Sequence, residues 1–129
     1  MGLAWACVLE MPQKMRFDAT LYVFLNRQLY AYFAYVGGSA EVGAILGCLV
    51  LCVLVRRRPA LVLASIAAAC AVGALAIWCA FVSPMNAEMA RWAPFAIPSD
   101  WIRVRNQWEH GHLARALLWS VALGTVAFI

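Results

Sequence analysis

The feature that most constrains this chain is Ala60–Val82, a run of 23 residues without a charge. A helix of that length reaches about 34 Å, which exceeds the bilayer core of about 30 Å. The chain has 129 residues, of which 66% are hydrophobic and 12% are charged. So short a chain cannot bury this apolar excess in water. The composition therefore excludes a soluble globular enzyme, a disordered tail and a disulfide-stapled module, and it predicts one membrane domain over 1–129.

Two further runs are long enough to form spans. Gly37–Val55 contains one charged residue, Glu41, and Leu113–Ile129 contains only Arg115. The apolar start of the chain, Met1–Leu9, is too short to span, and we interpret it as the last turns of a first helix rather than a re-entrant piece. We predict an all-α, up-down, integral membrane four-helix bundle with a short first helix. Its helices are expected at 1–10, 19–55, 60–83 and 100–129.

The charged residues predict the orientation of this bundle. Asp18 is suited to cap the second helix, and Arg56–Arg58 with Pro59 forms a tight basic turn after it. Short basic turns usually lie on the cytoplasmic side, so we expect this turn inside, in a bacterial inner membrane. Basic residues at the opposite end are more numerous and favour the reverse. We attribute the net charge of +4 to orientation, and we expect a lipid bilayer and no nucleic acid as partner.

Two further sequence features favour packing over chemistry. The cysteines all lie in apolar runs, and none of them forms the Cys-x-x-Cys spacing of redox and many zinc sites. Gly43-x-x-x-Gly47 is a close-approach motif for helices, and it would permit a homodimer.

Candidate functional residues concentrate on the fourth helix. Helical spacing places six of them on one broad face: Trp101, Arg105, Trp108, His112, Arg115 and Trp119. Glu109 precedes His112 by three residues and is expected to hold one ring nitrogen. An aromatic and cationic face with one imidazole suits a flat anionic or enolisable ligand. The alternative is that the charged residues form structural pairs and that the tryptophans mark the membrane interface.

Glu41 is the acidic residue inside the second span. A carboxylate in hydrocarbon is either protonated or paired, so we expect Glu41 to face a cavity and to meet Arg105 or Arg115. Asn26 and Tyr30 share its helix face. A structural ion pair and a catalytic role both remain open for Glu41.

Metal binding is the remaining chemical alternative. Glu109-x-x-His112 matches half of a di-iron motif, which needs a second copy that this chain lacks. A mononuclear metal held by His112 with Glu109, Glu41 or Glu10 stays open. Our prediction is nevertheless a site without metal and without cofactor. His110 should point away from the functional face.

The residues at the polar end carry a family resemblance. They are the segments Leu9–Lys14 and Pro84–Asn86, with Asp18, Tyr30, Trp101, Arg105, Trp108, Glu109, His112 and Arg115. In this pattern the chain resembles the anthrone oxygenase-like membrane family, over nearly its whole length. The first helix is shorter here than in that family. The resemblance implies a four-helix membrane protein and, as in fungal members, oxidation of an anthrone to an anthraquinone by O2 without an evident cofactor.

On this resemblance each residue is expected to have a role. His112 would be the base that removes the acidic C–H proton, Glu109 would orient it, and Arg105 and Arg115 would stabilise the anion. Asn86 would donate a hydrogen bond to a small lipophilic substrate. Glu41, Tyr30, Trp101 and Trp108 would line its site. The competing hypothesis is a non-catalytic membrane subunit or assembly partner whose polar end binds a larger complex.

Overall fold

The structure is a computed structural model that describes residues 2–93 and 96–129. These residues are helical apart from short connections, as the sequence predicts. The helices are α1 (Gly2–Lys14), α2 (Ala19–Leu29), α3 (Ala31–Leu54), α4 (Arg58–Ile77), α5 (Ser83–Arg91) and α6 (Trp101–Ala127). A π-helical turn, Trp78–Val82, joins α4 to α5, so the helix is continuous over 58–91.

Helix α6 is the central element of the packing. It packs against α1 on one side and against α4 on the other, and α3 packs on α4. Trp5 near the start of α1 donates to Ser120 at 2.8 Å, whereas Lys14 at its end meets Glu109. Helices α1 and α6 are therefore antiparallel.

The interior consists of two apolar clusters at different positions along the helices. One lies at the polar end and contains Tyr22, Val82, Met89 and Trp108. The other is built largely from alanines, with Ala67, Ala71 and Ala74 of α4 fully buried. Small side chains let helix backbones approach closely, which explains how α4 and α6 stay in contact along much of their length.

The observed helix ends differ from the predicted ones in three places. Helix α1 continues to Lys14, because Pro12 lies near its end. There the absent N–H of proline removes only one backbone hydrogen bond of the helix. The predicted helix 19–55 is divided at Tyr30 into α2 and α3. The third helix continues past 83 to Arg91, because Pro84 lies in the first turn of α5 and the π-helical turn precedes it.

Two helical segments, Tyr35–Leu54 and Arg58–Arg91, are long and apolar enough to cross a bilayer. In the 18-residue apolar window of each segment, only 11% and 28% of the residues, respectively, are buried within the molecule. Helix α1 has 13 residues and is about 20 Å long, shorter than a bilayer core. Asp18 caps α2 as expected, since its carboxylate accepts from the Leu21 N–H at 2.8 Å.

Gly111 is required where α6 crosses the π-helical turn. A Cβ atom at this position would lie 2.7 Å from Val82 Cγ2. We predict that Gly111→Ala lowers the free energy of unfolding by about 1–3 kcal/mol, because the added methyl overpacks the crossing. Gly124→Ala is the control in the same helix, because nothing lies within 4 Å of its Cβ position. Thermal unfolding in detergent should rank Gly111→Ala below wild type and Gly124→Ala at or above it.

Candidate functional site

The predicted face of α6 is buried. Arg105, Trp108, Glu109, His112, Arg115 and Trp119 are all at most 9% exposed. Three of these carry a formal charge, and charged groups this deep in a protein need partners. Glu109 and Arg115 have partners on α1, α2 and α3, whereas Arg105 contacts Asn106 and the Met15 carbonyl just after α1.

Arg115 and Glu41 form a buried ion pair between α6 and α3. Arg115 Nη2 lies 2.6 Å from Glu41 Oε1 and 2.5 Å from Oε2. The side chains are 5% and 13% exposed. The expectation that Glu41 meets Arg105 or Arg115 is therefore confirmed for Arg115.

His112 contacts Arg115 rather than Glu109. Its Nδ1 lies 3.2 Å from Arg115 Nη1. A guanidinium has no acceptor, so Nδ1 accepts this bond, and a neutral ring then carries its proton on Nε2. The ring packs on Trp108, with 4.1 Å between ring centroids. The predicted hydrogen bond from Glu109 to His112 is not formed: Glu109 Oε1 is bound by Lys14 and Tyr22, and its Oε2 has no partner in the described residues.

Glu109 belongs to a second polar cluster, together with Lys14 and Tyr22. Lys14 Nζ lies 3.2 Å from Glu109 Oε1, and the Tyr22 hydroxyl donates to the same oxygen at 3.1 Å. Burial, and then the adjacent Glu109 carboxylate, raise the pKa of Tyr22 above its ordinary value, so the phenol stays protonated as a donor. This cluster fastens α1 and α2 to α6.

Lys14 is a buried polar residue whose role the sequence did not reveal. It is 5% exposed, its Nζ donates to the Tyr30 hydroxyl at 3.1 Å, and it lies 4.7 Å from the centre of the Trp108 ring. The Tyr30 hydroxyl in turn donates to Glu10. Only the spacing of Glu10 and Lys14 on one helix face was visible in the sequence, and it does not reveal a partner on α6.

Two predicted site residues lie away from His112. Arg105 donates to the Met15 carbonyl at 3.2 Å and lies over the Trp101 ring, 5.0 Å from its centre. Trp101 also packs on Tyr22. The structure therefore assigns both residues to the attachment of the 15–22 segment, and neither the anion-binding role of Arg105 nor stacking of Trp101 on a ligand is supported by the geometry.

A cavity of about 440 Å³ opens beside His112 and Arg115. Predicted residues on its wall are Tyr30, Glu41, Asn86, Trp108, His112 and Arg115. Residues that were not predicted to line a site include Cys7, Arg27, Phe33, Trp78 and Met89. Its volume falls in the range of about 300–1,000 Å³ that small-molecule sites occupy.

Hydrogen bonds hold the wall residues in place. Trp108 Nε1 donates to Asn86 Oδ1 at 2.7 Å, so α5 fixes the indole that packs on His112. Arg27 Nη2 donates to the Met89 and Trp92 carbonyls, both at 2.5 Å, and joins α2 to the end of α5. The Asn86 oxygen is already engaged as an acceptor, and the predicted donor role belongs to its Nδ2.

The remaining candidates can be located in the same way. His110 is exposed and its Nδ1 lies 2.7 Å from the Asn106 carbonyl, away from the cavity as expected. Within residues 2–93 and 96–129, no group of three or more His, Cys, Asp or Glu side chains is placed to hold a metal ion. The open alternative of His112 sharing a metal with Glu109, Glu41 or Glu10 therefore finds no such cluster in the described residues.

Comparison with protein-family models, with characterised proteins and with solved structures gives no match to this chain.

Removal of one partner of the Glu41–Arg115 pair should destabilise the protein. We predict that Glu41→Leu costs about 3–5 kcal/mol of unfolding free energy, because Arg115 is left buried without a counter-ion. The double variant Glu41→Leu with Arg115→Met should recover most of this loss. Unfolding of the two single variants and the double variant in detergent gives the coupling energy between the two side chains. Additive losses of unfolding free energy would contradict a paired role.

Tyr22 should make the protein sensitive to alkaline pH. Its pKa is higher in the folded than in the unfolded chain, where a tyrosine titrates near 10. The contribution is complete below pH 10 and is lost as pH rises above it, because only the unfolded chain then releases the proton. We predict that stability falls less steeply above about pH 10 in Tyr22→Phe than in wild type. Equal slopes in pH-dependent unfolding would contradict this assignment.

Proposed function

We propose that the protein is an integral membrane four-helix bundle formed by α1, α3, α4–α5 and α6. The support is the exposed apolar surface of α3, where Val36 is 68% exposed and Val53 is 81% exposed. Surfaces of this kind are unfavourable in water and suit lipid contact. The proposed location is a bacterial inner membrane, with Arg56–Arg58 on the cytoplasmic side.

Within this bundle we propose a small oxygenase that acts on a lipophilic, enolisable aromatic ketone of the anthrone type. The observation that carries the proposal is one cavity that combines His112, Arg115 and Glu41 with aromatic and aliphatic walls. Its apolar walls suit a flat ring system, and its few polar groups lie close together. The resemblance of the sequence to the anthrone oxygenase-like family supports the same substrate class.

The hydrogen bond between His112 and Arg115 changes the role proposed for the imidazole. With Nδ1 engaged, the ring offers its Nε2–H as a donor to a ketone oxygen. A neutral imidazole and a guanidinium can together stabilise the negative charge that develops on this oxygen. We therefore assign His112 and Arg115 to the substrate oxygen.

The proton acceptor that fits this arrangement is Glu41. Its carboxylate lines the same cavity and is held by Arg115. In the first step a C–H bond breaks on the CH2 carbon that joins the two aryl rings. Its proton goes to Glu41, and its electron pair enters the enolate. A carboxylate within reach of such a proton typically contributes about 10²–10⁴-fold to the rate.

The second stage consumes O2 as the oxidant. The enolate carbon forms a bond to O2, which is reduced to a peroxide, and a proton completes the hydroperoxide. Loss of the remaining C–H proton then forms the new C=O bond as the O–O bond breaks, and the leaving hydroxide is protonated to water. The new carbonyl oxygen and the oxygen of one water account for both atoms of O2.

The competing function is that of a non-catalytic subunit that offers its polar end to a larger complex. Such a protein would present its polar residues on an outer face. His112 and Arg115 are only 9% and 5% exposed, and both line a cavity. Their burial supports a ligand-binding function over the subunit function.

The two histidines provide a matched experiment. In proteoliposomes with 9-anthrone, we expect His112→Phe to lower oxygen uptake about 10²–10³-fold, because the donor to the oxyanion is lost. His112→Gln keeps an N–H donor and should retain more activity than His112→Phe. His110→Phe, on the exposed side of α6, should match wild type. Uptake that is unchanged in His112→Phe would contradict the proposal.

Glu41→Gln tests the proton step by itself. Under anaerobic conditions in D2O, wild type should exchange the acidic C–H protons of 9-anthrone, and Glu41→Gln should slow this exchange by about 10²-fold or more. Folding is checked by the unfolding temperature of the same sample. If His112→Gln abolished exchange while Glu41→Gln retained it, His112 would be the base instead.

A further inference from the structure

The wall of the cavity carries a second polar region that the chemistry described above does not use. Asn26 and Arg27, near the end of α2, both line this cavity. We call these two side chains the Asn26–Arg27 patch. They are distinct from Glu41, His112 and Arg115, to which the proposed reaction is assigned. What a ligand must offer at this place follows from the partners that the two side chains lack.

Arg27 carries a positive charge that no acidic residue of the chain neutralises. The structure describes all six acidic residues, and each is engaged elsewhere: Glu10 and Glu109 at Lys14, Glu41 at Arg115, Glu88 and Asp100 at Arg103, and Asp18 at the Leu21 N–H. Arg27 Nη2 binds two backbone carbonyl groups, and its Nε is buried without a hydrogen-bond partner in the described residues. Carbonyl groups carry no net charge, so this partly buried guanidinium remains able to bind an anion.

Asn26, the preceding residue, provides a neutral donor on the same wall. Its side chain is 8% exposed, and its Nδ2 has no hydrogen-bond partner in residues 2–93 and 96–129. A buried donor without a partner is unfavourable, so binding of a ligand oxygen to it is favourable. The last torsion of an asparagine has broad energy wells, so a rotation can turn Nδ2 towards the cavity that the residue lines. A charged donor and a neutral donor together fit a carboxylate.

The Asn26–Arg27 patch lies at a different level of the cavity from Arg115. Arg27 binds carbonyl groups at the end of α5, and Asn86, earlier in α5, is hydrogen-bonded to Trp108 of α6. The chain runs in opposite directions in α5 and α6. Arg115 follows Trp108 by seven residues, so it lies about 10 Å further along α6, on the side away from Arg27. A ring system whose ketone lies at Arg115 therefore extends towards the patch when it fills the cavity.

We propose that the Asn26–Arg27 patch binds a carboxylate on the ring system whose ketone oxygen lies at His112 and Arg115. This inference rests on the proposed function and narrows its substrate class to aromatic ring ketones with a carboxylate remote from the ketone. Arg27 neutralises this carboxylate, as Arg115 neutralises Glu41. The two arginines that line the cavity then have one carboxylate partner each.

Two anthraquinones of nearly the same shape test the charge requirement by binding alone. Anthraquinone-2-carboxylate and anthraquinone-2-carboxamide lack the acidic C–H bond, so neither is turned over. Their dissociation constants are measured at neutral pH with the protein in phosphatidylcholine nanodiscs, and binding to empty nanodiscs is subtracted. We expect the carboxylate to bind about tenfold or more tightly, because hydrogen bonds to a charged group are stronger than neutral ones. Equal affinities, weaker binding of the carboxylate, or no binding of either compound would overturn the inference.

Arg27→Met and Arg91→Met form a matched pair of variants, because each removes one guanidinium near the polar end of the bundle. Arg91 is exposed and is not among the described residues that line the cavity, so Arg91→Met should keep the preference for the carboxylate. Arg27→Met should abolish this preference. The unfolding temperature of each sample shows whether the fold is retained. A preference that persists in Arg27→Met, or that is lost equally in both variants, would contradict the role of Arg27.

Asn26→Asp tests the patch even if Arg27→Met does not fold, because it leaves the contacts between Arg27 and α5 in place. Aspartate has nearly the shape of asparagine and adds a negative charge where the ligand carboxylate is expected. This variant should bind the carboxamide more tightly than the carboxylate, and an unchanged preference would count against the patch. His112→Phe should weaken both anthraquinones by similar factors. A loss confined to the carboxylate in His112→Phe would place the carboxylate at His112 and reject the inference.

The outcome is separable from that of the proposed function. A preference for the carboxylate that depends on Arg27, without oxygen uptake on 9-anthrone, would retain the anion site and reject the oxygenase. Oxygen uptake on 9-anthrone with equal affinities for the two anthraquinones would retain the oxygenase and reject the anion site.

Discussion

The buried ion pair between Arg115 and Glu41 is the interaction on which the site depends. It joins α6 to α3, which otherwise packs mainly on α4. Two charges removed from water are costly unless they are closely paired, so each side chain restricts where the other helix can lie. The same guanidinium binds His112 through its other terminal nitrogen. One arginine therefore fixes a helix position and the tautomer of an imidazole.

A second polar cluster supports the site from the other side of α6. Lys14 joins Glu109 to Tyr30, and Tyr30 packs on Trp108. Trp108 in turn packs on His112 and is hydrogen-bonded to α5. The imidazole is thus held between an ion pair and a fixed aromatic ring. Binding groups that are positioned before the ligand arrives lose little freedom when it binds, which favours a site over a loose polar patch.

The sequence predicted the buried face of α6 and an arginine partner for Glu41, but it did not predict the partners of Glu109. The helical period of α6 correctly identified a buried face, and the isolation of Glu41 in an apolar run correctly indicated an arginine partner. The predicted Glu109–His112 contact failed, because short sequence spacing was taken as proximity while Lys14, 95 residues away in the chain, holds Glu109. The break at Tyr30 was missed because neither a glycine nor a proline marks it in the sequence.

The irregular helix over 58–91 shows why sequence periodicity alone could not position Asn86. A π-helical turn inserts one residue into the regular repeat, so every side chain after Trp78–Val82 is rotated relative to an ideal helix. Gly111 faces this turn without a side chain and leaves room for Val82. The rotation brings Asn86 to Trp108, whose indole packs on His112. A local irregularity between α4 and α5, permitted by one glycine on α6, thus completes the wall of the cavity.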